Sequence, residues 1–350
     1  MSTSTMRAAY TTAYGGPDKI EYSDTFPKLK LVGPDDVLIR VADASINPID
    51  TLRNKGMLRM LMCDEHPHVF GYDVGGFVEE VGANCTRLKV GDRVYARIGE
   101  AQSGTLAGYV SAKEVHVALA PKNLPLNQSA GIPLVTLTAY QAFVAGNVQK
   151  GQRVFISKGA GGVGTMAIQL AKHVFGAYVI TTGSEHKAEL LKELGADEVI
   201  NYRKEKFQDV IKEPVDFAFD VSDEPAAHAK ITKKKGFVAA LRGAPSPAMA
   251  KKVLAHPPGF LMNNVLRAAN FATSRTAWWY GVRYEAIFCE PSAKDLDTIR
   301  GFLEEGTIKP VIDSTYDLKE AKAAMEKLDS GRSTGKIILS VDDTLDKEFQ

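Results

Sequence analysis

The hydrophobic pattern divides the chain into an early region of short strands and a later region in which strands alternate with helices. Over residues 1–125, apolar runs such as "DDVLIRVADASI" and "GGFVEEVG" are separated by turn signals, and "KVGDRVYARI" places Gly-Asp before another run. Short apolar runs bounded by turn residues are typical of strands. This region is predicted to form a compact, β-rich, barrel-like domain.

The pattern changes near residue 129, where "SAGIPLVTLTAYQAFVAG" has helical periodicity. The runs 153–158 and 177–182 are then predicted strands, and 185–195 is a predicted helix that ends at Gly195. "DEVINY", "DFAFDV" and "GFVAAL" supply further strands. Strands that alternate with helices predict a doubly wound parallel sheet, so the fold class is α/β.

The last third of the chain is more varied. Residues 243–284 are predicted to be irregular, and helices are predicted over 292–305 and 318–330 before a final strand, "GKIILSV". The aromatic segment 271–284 could wall a substrate pocket, pack at a subunit interface or contact a membrane. The lysine run within 230–236 is predicted to be a solvated helix end.

Composition excludes several classes of function. The 350 residues carry a formal net charge of +1, so no global field recruits nucleic acid. Three separated cysteines, Cys63, Cys85 and Cys289, predict neither a disulfide framework nor a four-thiolate zinc site. The chain shows no signal-like start and no long apolar run, so we expect no stable membrane insertion and a cytoplasmic location, with a mitochondrial one as the alternative.

A glycine cluster is the strongest chemical signal. Gly159, Gly161 and Gly164 form G-x-G-x-x-G between a predicted strand and a predicted helix. The first glycine permits the tight turn, the second lets the backbone approach a pyrophosphate, and the third allows close helix–strand packing. The helix N-terminus adds free N–H groups and partial positive charge. The cluster therefore predicts a dinucleotide site.

The end of the second strand of this region, "TTGSEHK", bears on the choice of dinucleotide. Ser184 and Lys187 suit the 2′-phosphate of NADPH, because a hydroxyl and an ammonium both donate to phosphate oxygens. Glu185 could instead hold the ribose hydroxyl of NADH. We expect NADPH.

Several stretches together resemble the medium-chain dehydrogenase/reductase superfamily, in its zinc-independent quinone oxidoreductase branch. They are "INPIDTLRNKG", "FGYDVGGFVEEVG", "KVGDRVY", "GTLAGYV", "IPLVTLTAY", "KGAGGVGTMAIQLAK", "LLKELGADEVINY" and "GKIILSV". Within this branch, the chain resembles plant enone oxidoreductases and the reticulon-interacting mitochondrial quinone reductase. The resemblance implies a GroES-like catalytic domain (1–128 and 292–350), a Rossmann NADP-binding domain (129–291) and a homodimer.

The resemblance also implies the site residues. Asn47, Tyr72 and Leu134 stand where zinc-dependent members place Cys, His and Cys, and none is a good zinc ligand, so we expect no metal. Asn47 and Tyr72 are the candidate catalytic donors, although Tyr72 could simply pack. The implied cofactor-binding residues are Thr138, Ala160, Gly161, Gly162, Val163, Ser184, Lys187, Tyr202, Ile287, Cys289, Arg332, Ser333 and Thr334.

The absence of metal ligands favours one reaction class. Reduction of a quinone or an α,β-unsaturated carbonyl spreads negative charge onto a distant oxygen, which a few hydrogen-bond donors can stabilise without a Lewis acid. We therefore expect a zinc-independent, NADPH-dependent oxidoreductase that transfers hydride to such small molecules. A zinc-free alcohol or sugar dehydrogenase is disfavoured. The alternative is an NADPH-binding protein with little turnover that acts through protein partners.

Overall fold

The computed structural model describes residues 4–60, 62–242, 250–251 and 259–347. The chain divides into two compact units. Unit 1 comprises residues 1–134, 291–305 and 310–350, and unit 2 comprises residues 135–290 and 306–309.

The strands of the described residues are numbered along the chain. They are β1 Thr5–Thr11, β2 Ile20–Pro27, β3 Asp36–Ile46, β4 His68–Val69, β5 Asp73–Val81, β6 Arg93–Arg97, β7 Tyr109–Lys113, β8 Val117–Leu119, β9 Arg153–Ile156, β10 Tyr178–Gly183, β11 Glu198–Asn201, β12 Val215–Asp220, β13 Thr232–Ala240, β14 Arg283–Ala286, β15 Ile312–Asp317 and β16 Lys336–Ser340.

The α-helices are numbered in the same way. They are α1 Pro48–Asn54, α2 Leu126–Ser129, α3 Pro133–Ala145, α4 Gly162–Gln169, α5 Ala188–Glu193, α6 Phe207–Val210, α7 Pro225–Ile231, α8 Phe260–Trp279, α9 Ala293–Glu304, α10 Ala321–Asp329 and α11 Asp343–Lys347. Short 3-10 turns lie at Pro17–Lys19, Glu114–His116, Glu185–Lys187 and Leu318–Glu320, and α4 continues as a π-helix over Leu170–Val174.

Unit 1 is built around β3, an almost fully buried strand. Its antiparallel partner β5 runs along one edge, while β7 and β16 pair with the two halves of the other edge. The larger sheet has the order β15-β16-β3-β5-β6-β8, and β2-β1-β4 form a second sheet. Because β3 is buried at nearly every position, apolar residues such as Val37, Leu38 and Ile39 follow one another without alternating with polar ones, although Asp36, Arg40 and Asp43 interrupt the run.

Unit 2 contains a six-stranded sheet of order β11-β10-β9-β12-β13-β14 in which every pair is parallel. Numbered within the sheet, this is the order 3-2-1-4-5-6 of dinucleotide-binding folds. The strand order reverses between β9 and β12, so a crevice is expected at their carboxyl ends. The α/β fold class predicted from the sequence is confirmed.

Two glycines pack so closely against backbone that no side chain fits. A Cβ on Gly164 would lie 2.3 Å from the carbonyl oxygen of Lys158, and one on Gly104 would lie 2.1 Å from the backbone of Phe70. The first contact holds the start of α4 against the turn that follows β9. The close approach therefore requires glycine at the third position of the G-x-G-x-x-G pattern.

The structure corrects two predictions. Residues 260–279 form the helix α8, not irregular chain, while 243–249 and 252–258 lie outside the described residues. The lysine run is not a helix end: α7 ends at Ile231 and Lys233–Lys235 belong to β13. A further finding is that no helix within the described ranges combines the length and apolar character needed to cross a bilayer.

The close packing at Gly164 predicts a stability difference between two glycine-to-alanine variants. We expect Gly164→Ala to lower the free energy of unfolding by about 1–3 kcal/mol, because backbone would have to move. Gly301 lies in α9 with open space around its Cβ position, so Gly301→Ala should raise stability by about 0.5–1 kcal/mol. Thermal and urea unfolding of both variants measures whether the free energy of unfolding falls for Gly164→Ala and rises for Gly301→Ala. A Gly164→Ala variant as stable as the parent would contradict the packing argument.

Candidate functional site

The glycine turn of unit 2 lies where the sheet order reverses. Ser157 follows β9, and its hydroxyl oxygen accepts from the N–H groups of Val221 (2.9 Å) and Ser222 (3.1 Å), which follow β12. Lys158 then takes a positive φ of 54° and the chain turns into α4. Ser157 thus links the carboxyl ends of β9 and β12, the two strands between which the strand order reverses.

The start of α4 is available to an anion. Its N-cap residue, Gly161, provides no side-chain hydrogen bond to the first turn, and only the carbonyl oxygen of Lys158 lies within 4 Å of its Cβ position, at 3.5 Å. Ala160, Gly161, Gly162 and Val163 are all half-buried, so they form a rim accessible from outside. Uncapped N–H groups and the helix dipole suit a pyrophosphate.

A second part of the predicted cofactor site follows β10. Gly183 at the end of β10 pairs with Asn201 at the end of β11, which brings the segments after both strands together. Ser184 is buried, with its hydroxyl 3.4 Å from the His186 ring. Tyr202 is exposed, and Lys187 belongs to the 3-10 turn between them.

Glu185, whose carboxylate could favour NADH by holding the ribose hydroxyl, forms an ion pair with Lys204. Its carboxylate accepts from the Lys204 ammonium at 2.8 Å on the exposed surface after β11. Sequence reasoning missed Lys204. The available signal was the parallel pairing of β10 and β11, which sends the residues after each strand to the same edge.

The other predicted cofactor residues lie in different parts of the fold. Thr138 is buried in α3 of unit 2. Ile287 and Cys289 are buried after β14, and the Ile287 N–H donates to Ala240 at the end of β13 (2.8 Å). Arg332, Ser333 and Thr334 form the segment before β16 in unit 1, where the Thr334 N–H donates to Asp313 (2.6 Å).

The candidate catalytic residue Asn47 belongs to a buried polar cluster of unit 1. Its amide nitrogen donates to Asp73 (2.8 Å), and its amide oxygen accepts from the Lys336 ammonium. The same Asp73 oxygen accepts from the hydroxyl of Ser45 (2.9 Å) and from Lys336 (3.3 Å), while the other accepts from the backbone N–H of Leu134 (2.8 Å). The amide of Asn47 is therefore held in one orientation.

Lys336 is the unexpected member of this cluster. Its side chain is 5% exposed and its ammonium also donates to the Ile46 carbonyl at 3.0 Å. Burial lowers the pKa of Lys336, and the nearby carboxylate of Asp73 acts in the opposite direction. The available sequence signal for Lys336 is its position at the start of the apolar run "KIILS". A lysine next to a buried strand is a candidate for burial, and a buried ammonium requires an anionic partner.

Asp50, in α1, adjoins this cluster through the backbone of Asn47. Its carboxylate accepts from the backbone N–H groups of Asn47 (2.7 Å) and Gly71 (3.1 Å) and is fully buried. Burial raises the pKa of Asp50 from 3.8 to about 7. The raised pKa means that its contribution to stability is fully present below pH 3.8 and is lost as the pH rises through about 7.

Tyr72 belongs to a separate cluster. Its hydroxyl accepts from Arg53 (2.9 Å) and faces the sulfur of Met62 at 3.9 Å, and burial raises the pKa of Tyr72 to about 12. Arg53 in turn forms a two-pronged ion pair with Asp64, whose carboxylate lies 3.7 Å from the His68 ring. The phenol is thus buried and its hydroxyl is already engaged by Arg53.

The described part of the chain contains no group of three or more His, Cys, Asp or Glu side chains arranged to hold a metal ion. The two histidines of "DEHPH" have protein neighbours: His66 packs edge-on against Tyr14, and burial lowers the pKa of His68 to about 4.

The buried Lys336–Asp73 pair predicts a strong stability effect. We expect Lys336→Met to lower the free energy of unfolding by about 3–5 kcal/mol, because Asp73 would keep a buried charge without its cation. The double variant Lys336→Met/Asp73→Asn should recover much of that loss. Urea unfolding of the single and double variants gives the coupling energy. Additive losses, or a loss below about 1 kcal/mol for Lys336→Met, would show that the pair does not organise the cluster.

Two family models match the chain. The alcohol dehydrogenase GroES-like domain matches residues 33–122, and the zinc-binding dehydrogenase family matches residues 194–339.

Individual relatives cover nearly the whole chain. The 2-methylene-furan-3-one reductase of Solanum lycopersicum is 35% identical over 96% of this chain and 79% of its own length. The NADPH-dependent alkenal/one oxidoreductase, chloroplastic, of Arabidopsis thaliana is 34% identical over 95% of this chain and 79% of its own length. Among solved structures, the quinone oxidoreductase from Coxiella burnetii aligns with a TM-score of 0.83 and 29% identity, over 96% of this chain and 99% of that one.

The parallel sheet of unit 2, the GroES-like match in unit 1 and the near full-length relatives agree with one another. The chain belongs to the medium-chain dehydrogenase/reductase superfamily, in the branch of quinone and enone oxidoreductases.

Proposed function

We propose that this chain is a zinc-independent reductase that transfers hydride from NADPH to a quinone or to an alkene conjugated with a carbonyl group. The observation that carries the proposal is the cluster around Asn47. At the positions where zinc-dependent members hold their metal, this chain has an amide locked by Asp73 and Lys336, a buried phenol and a leucine. These groups are poor zinc ligands, but an amide is a good donor to an oxygen.

The glycine turn fits a dinucleotide. The half-buried rim at Ala160–Val163 includes the start of α4, which no side chain caps, whereas Gly164 packs too tightly for any side chain. When bound, NADPH supplies the hydride. The turn binds the pyrophosphate and orients the cofactor.

Asn47 is the proposed donor to the substrate's carbonyl oxygen. Its amide nitrogen carries two hydrogens, one of which is donated to Asp73. The other can stabilise negative charge that develops on the substrate oxygen when the β-carbon accepts hydride. Lys336 and Asp73 act as positioning residues, because both hold the amide of Asn47. The substrate then takes a proton from water.

The preference for NADPH rests on the surface after β10. Ser184, Lys187 and Tyr202 are proposed to surround the 2′-phosphate, and Thr138, Ile287, Cys289 and the segment 332–334 to contact other parts of the cofactor. The ion pair from Lys204 engages Glu185, which reduces the repulsion that this carboxylate would exert on a phosphate.

Three further expectations stay proposals. Residues 1–128 with 292–350 form the catalytic domain, and 129–291 form the NADP-binding domain. The chain forms a homodimer through the exposed edge strand β14, since an unpaired edge favours strand addition. A cytoplasmic location, with a mitochondrial one as the alternative, stays a prediction, and the Arabidopsis thaliana relative is named as chloroplastic.

The proposed 2′-phosphate site predicts a selective loss. Lys187→Ala should raise the KM for NADPH about tenfold to hundredfold, because a charge-assisted hydrogen bond to phosphate is lost, and should change the KM for NADH by less than about twofold. Lys192→Ala, an exposed lysine on α5, is the matched control and should leave both constants unchanged. Equal effects of Lys187→Ala on both cofactors would remove this residue from the phosphate site.

The reaction and the role of Asn47 are tested together by following NADPH oxidation with an ortho-quinone, a para-quinone and a short enone, with EDTA present. We expect turnover that EDTA does not reduce. Asn47→Ala should lower kcat about 100-fold, because the donor to the developing oxyanion is lost, and should leave the Kd for NADPH unchanged, because Asn47 is not among the proposed cofactor contacts. Tyr72→Phe is the comparison and should change kcat by only a few-fold.

Two outcomes would count against the proposal. NADPH binding without turnover on every acceptor would make the partner-binding alternative the better account. An Asn47→Ala variant with the parent's kcat would place the oxygen donor elsewhere.

A further inference from the structure

The helix α8 of unit 2 turns large apolar side chains toward solvent. Phe260 is 86% exposed, Trp278 is 76% exposed and Trp279 is 80% exposed, and Leu261, Val265 and Phe271 are also exposed. Leu266 and Ala277 are buried. Several large apolar side chains exposed on one helix mark an interaction site rather than chance exposure.

The exposed residues lie on one side of the helix. Leu261 and Val265 are 4 residues apart, Phe271 and Trp278 are 7 apart, and Leu261 and Trp279 are 18 apart. Each spacing is close to a whole number of turns at about 3.6 residues per turn. The buried Leu266 and Ala277 are 11 residues apart, which is also close to whole turns, and they define the opposite side.

The sequence around this helix lacks negative charge. Between Glu224 and Glu285 there are ten lysines and arginines and no aspartate or glutamate. The rest of the chain then has 33 basic residues against its 42 acidic ones. The net charge of the whole chain, +1, therefore does not reveal that this segment is basic. A basic segment of this length indicates an anionic partner.

Positive side chains adjoin the aromatic end of α8. Arg267 and Arg275 on the helix itself are exposed. Beyond its C-terminus, the backbone N–H of Lys235 donates to the Gly281 carbonyl (2.7 Å), and the Cβ position of Gly281 is 3.6 Å from the Lys234 side chain. The lysine run of β13 and the Trp278–Tyr280 cluster therefore form one surface.

We propose that this surface, α8 with Lys234 and Lys235, binds peripherally to an anionic lipid bilayer. Tryptophan and tyrosine favour the membrane–water interface, and helices that lie in this interface combine an apolar face with arginine and lysine. Each basic residue near an anionic leaflet adds attraction. A second copy is a poorer occupant, because α8 carries no acidic residue, so a contact between two copies of this helix would leave its arginines without an ionic partner.

The chain offers a direct probe, because Trp278 and Trp279 are its only two tryptophans. The full chain is mixed with vesicles of phosphatidylcholine alone or with about 30 mol% phosphatidylserine, and intrinsic emission and co-sedimentation are recorded. We expect a shift of emission to shorter wavelength and at least about tenfold tighter binding on the anionic vesicles. About 0.5 M NaCl should weaken the binding, because salt screens the attraction.

Two double variants separate the apolar and charged contributions. Trp278→Ser/Trp279→Ser, assayed by sedimentation, should bind at least about tenfold more weakly. Arg275→Glu/Lys234→Glu should also lose at least about tenfold, whereas Lys30→Glu/Lys212→Glu makes the same change in net charge at exposed sites elsewhere and should lose less than about twofold. Circular dichroism checks that each variant is folded.

Three outcomes would overturn the proposal. One is unchanged emission and no sedimentation with anionic vesicles. Another is emission that is already blue-shifted in buffer and moves to longer wavelength on dilution, which would identify a second copy as the occupant. The third is an equal loss of binding in the Lys30/Lys212 control, which would reduce the effect to overall charge.

Discussion

A buried ammonium cannot lie in a protein core without an anion and oxygen acceptors around it, and Lys336 imposes this constraint on unit 1. Its acceptors come from Asp73 at the start of β5, the carbonyl of Ile46 at the end of β3 and the amide of Asn47. The pairing of β16 with β3 and of β3 with β5 brings these groups together. One buried charge therefore couples the register of three strands to the orientation of a single amide.

This arrangement gives the proposed chemistry a physical basis. A metal ion stabilises a developing oxyanion by its own charge, whereas a locked amide does so by a fixed dipole that needs no reorganisation during the reaction. A conjugated acceptor suits the second device, because its negative charge arises on an oxygen away from the carbon that accepts hydride. If the basic aromatic surface of α8 also lies on a bilayer, apolar quinones and enones dissolved in the lipid become accessible substrates.

Local sequence could predict the parts of the structure that local forces determine. The glycine turn was predictable because each glycine has a steric reason within a few residues, as the packing of Gly164 against Lys158 illustrates. The alternation of strands and helices likewise indicated the parallel sheet. Only family resemblance singles out Asn47 and Tyr72, and no local pattern separates their roles, since their partners Lys336 and Arg53 become neighbours only in the folded chain.

Other features depend on tertiary contacts that no short window contains. Lys336 is 263 positions from Asp73, and Lys204 meets Glu185 only because β10 and β11 are in parallel register. The prediction of irregular chain over 243–284 is wrong for 260–279, where α8 forms; the proline-rich stretches "APSP" and "HPPG" before the helix are turn signals, and they outweighed the helical spacing that follows.

The most direct test of metal-free hydride transfer uses NADPH that carries deuterium on the transferring face of nicotinamide C4. The protein is treated with EDTA, a short enone is added, and the product is analysed by NMR. The account predicts deuterium at the β-carbon of the reduced product and a rate equal to that without chelator. Product without deuterium at that carbon, or turnover that stops with the chelator and returns with added zinc, would contradict it.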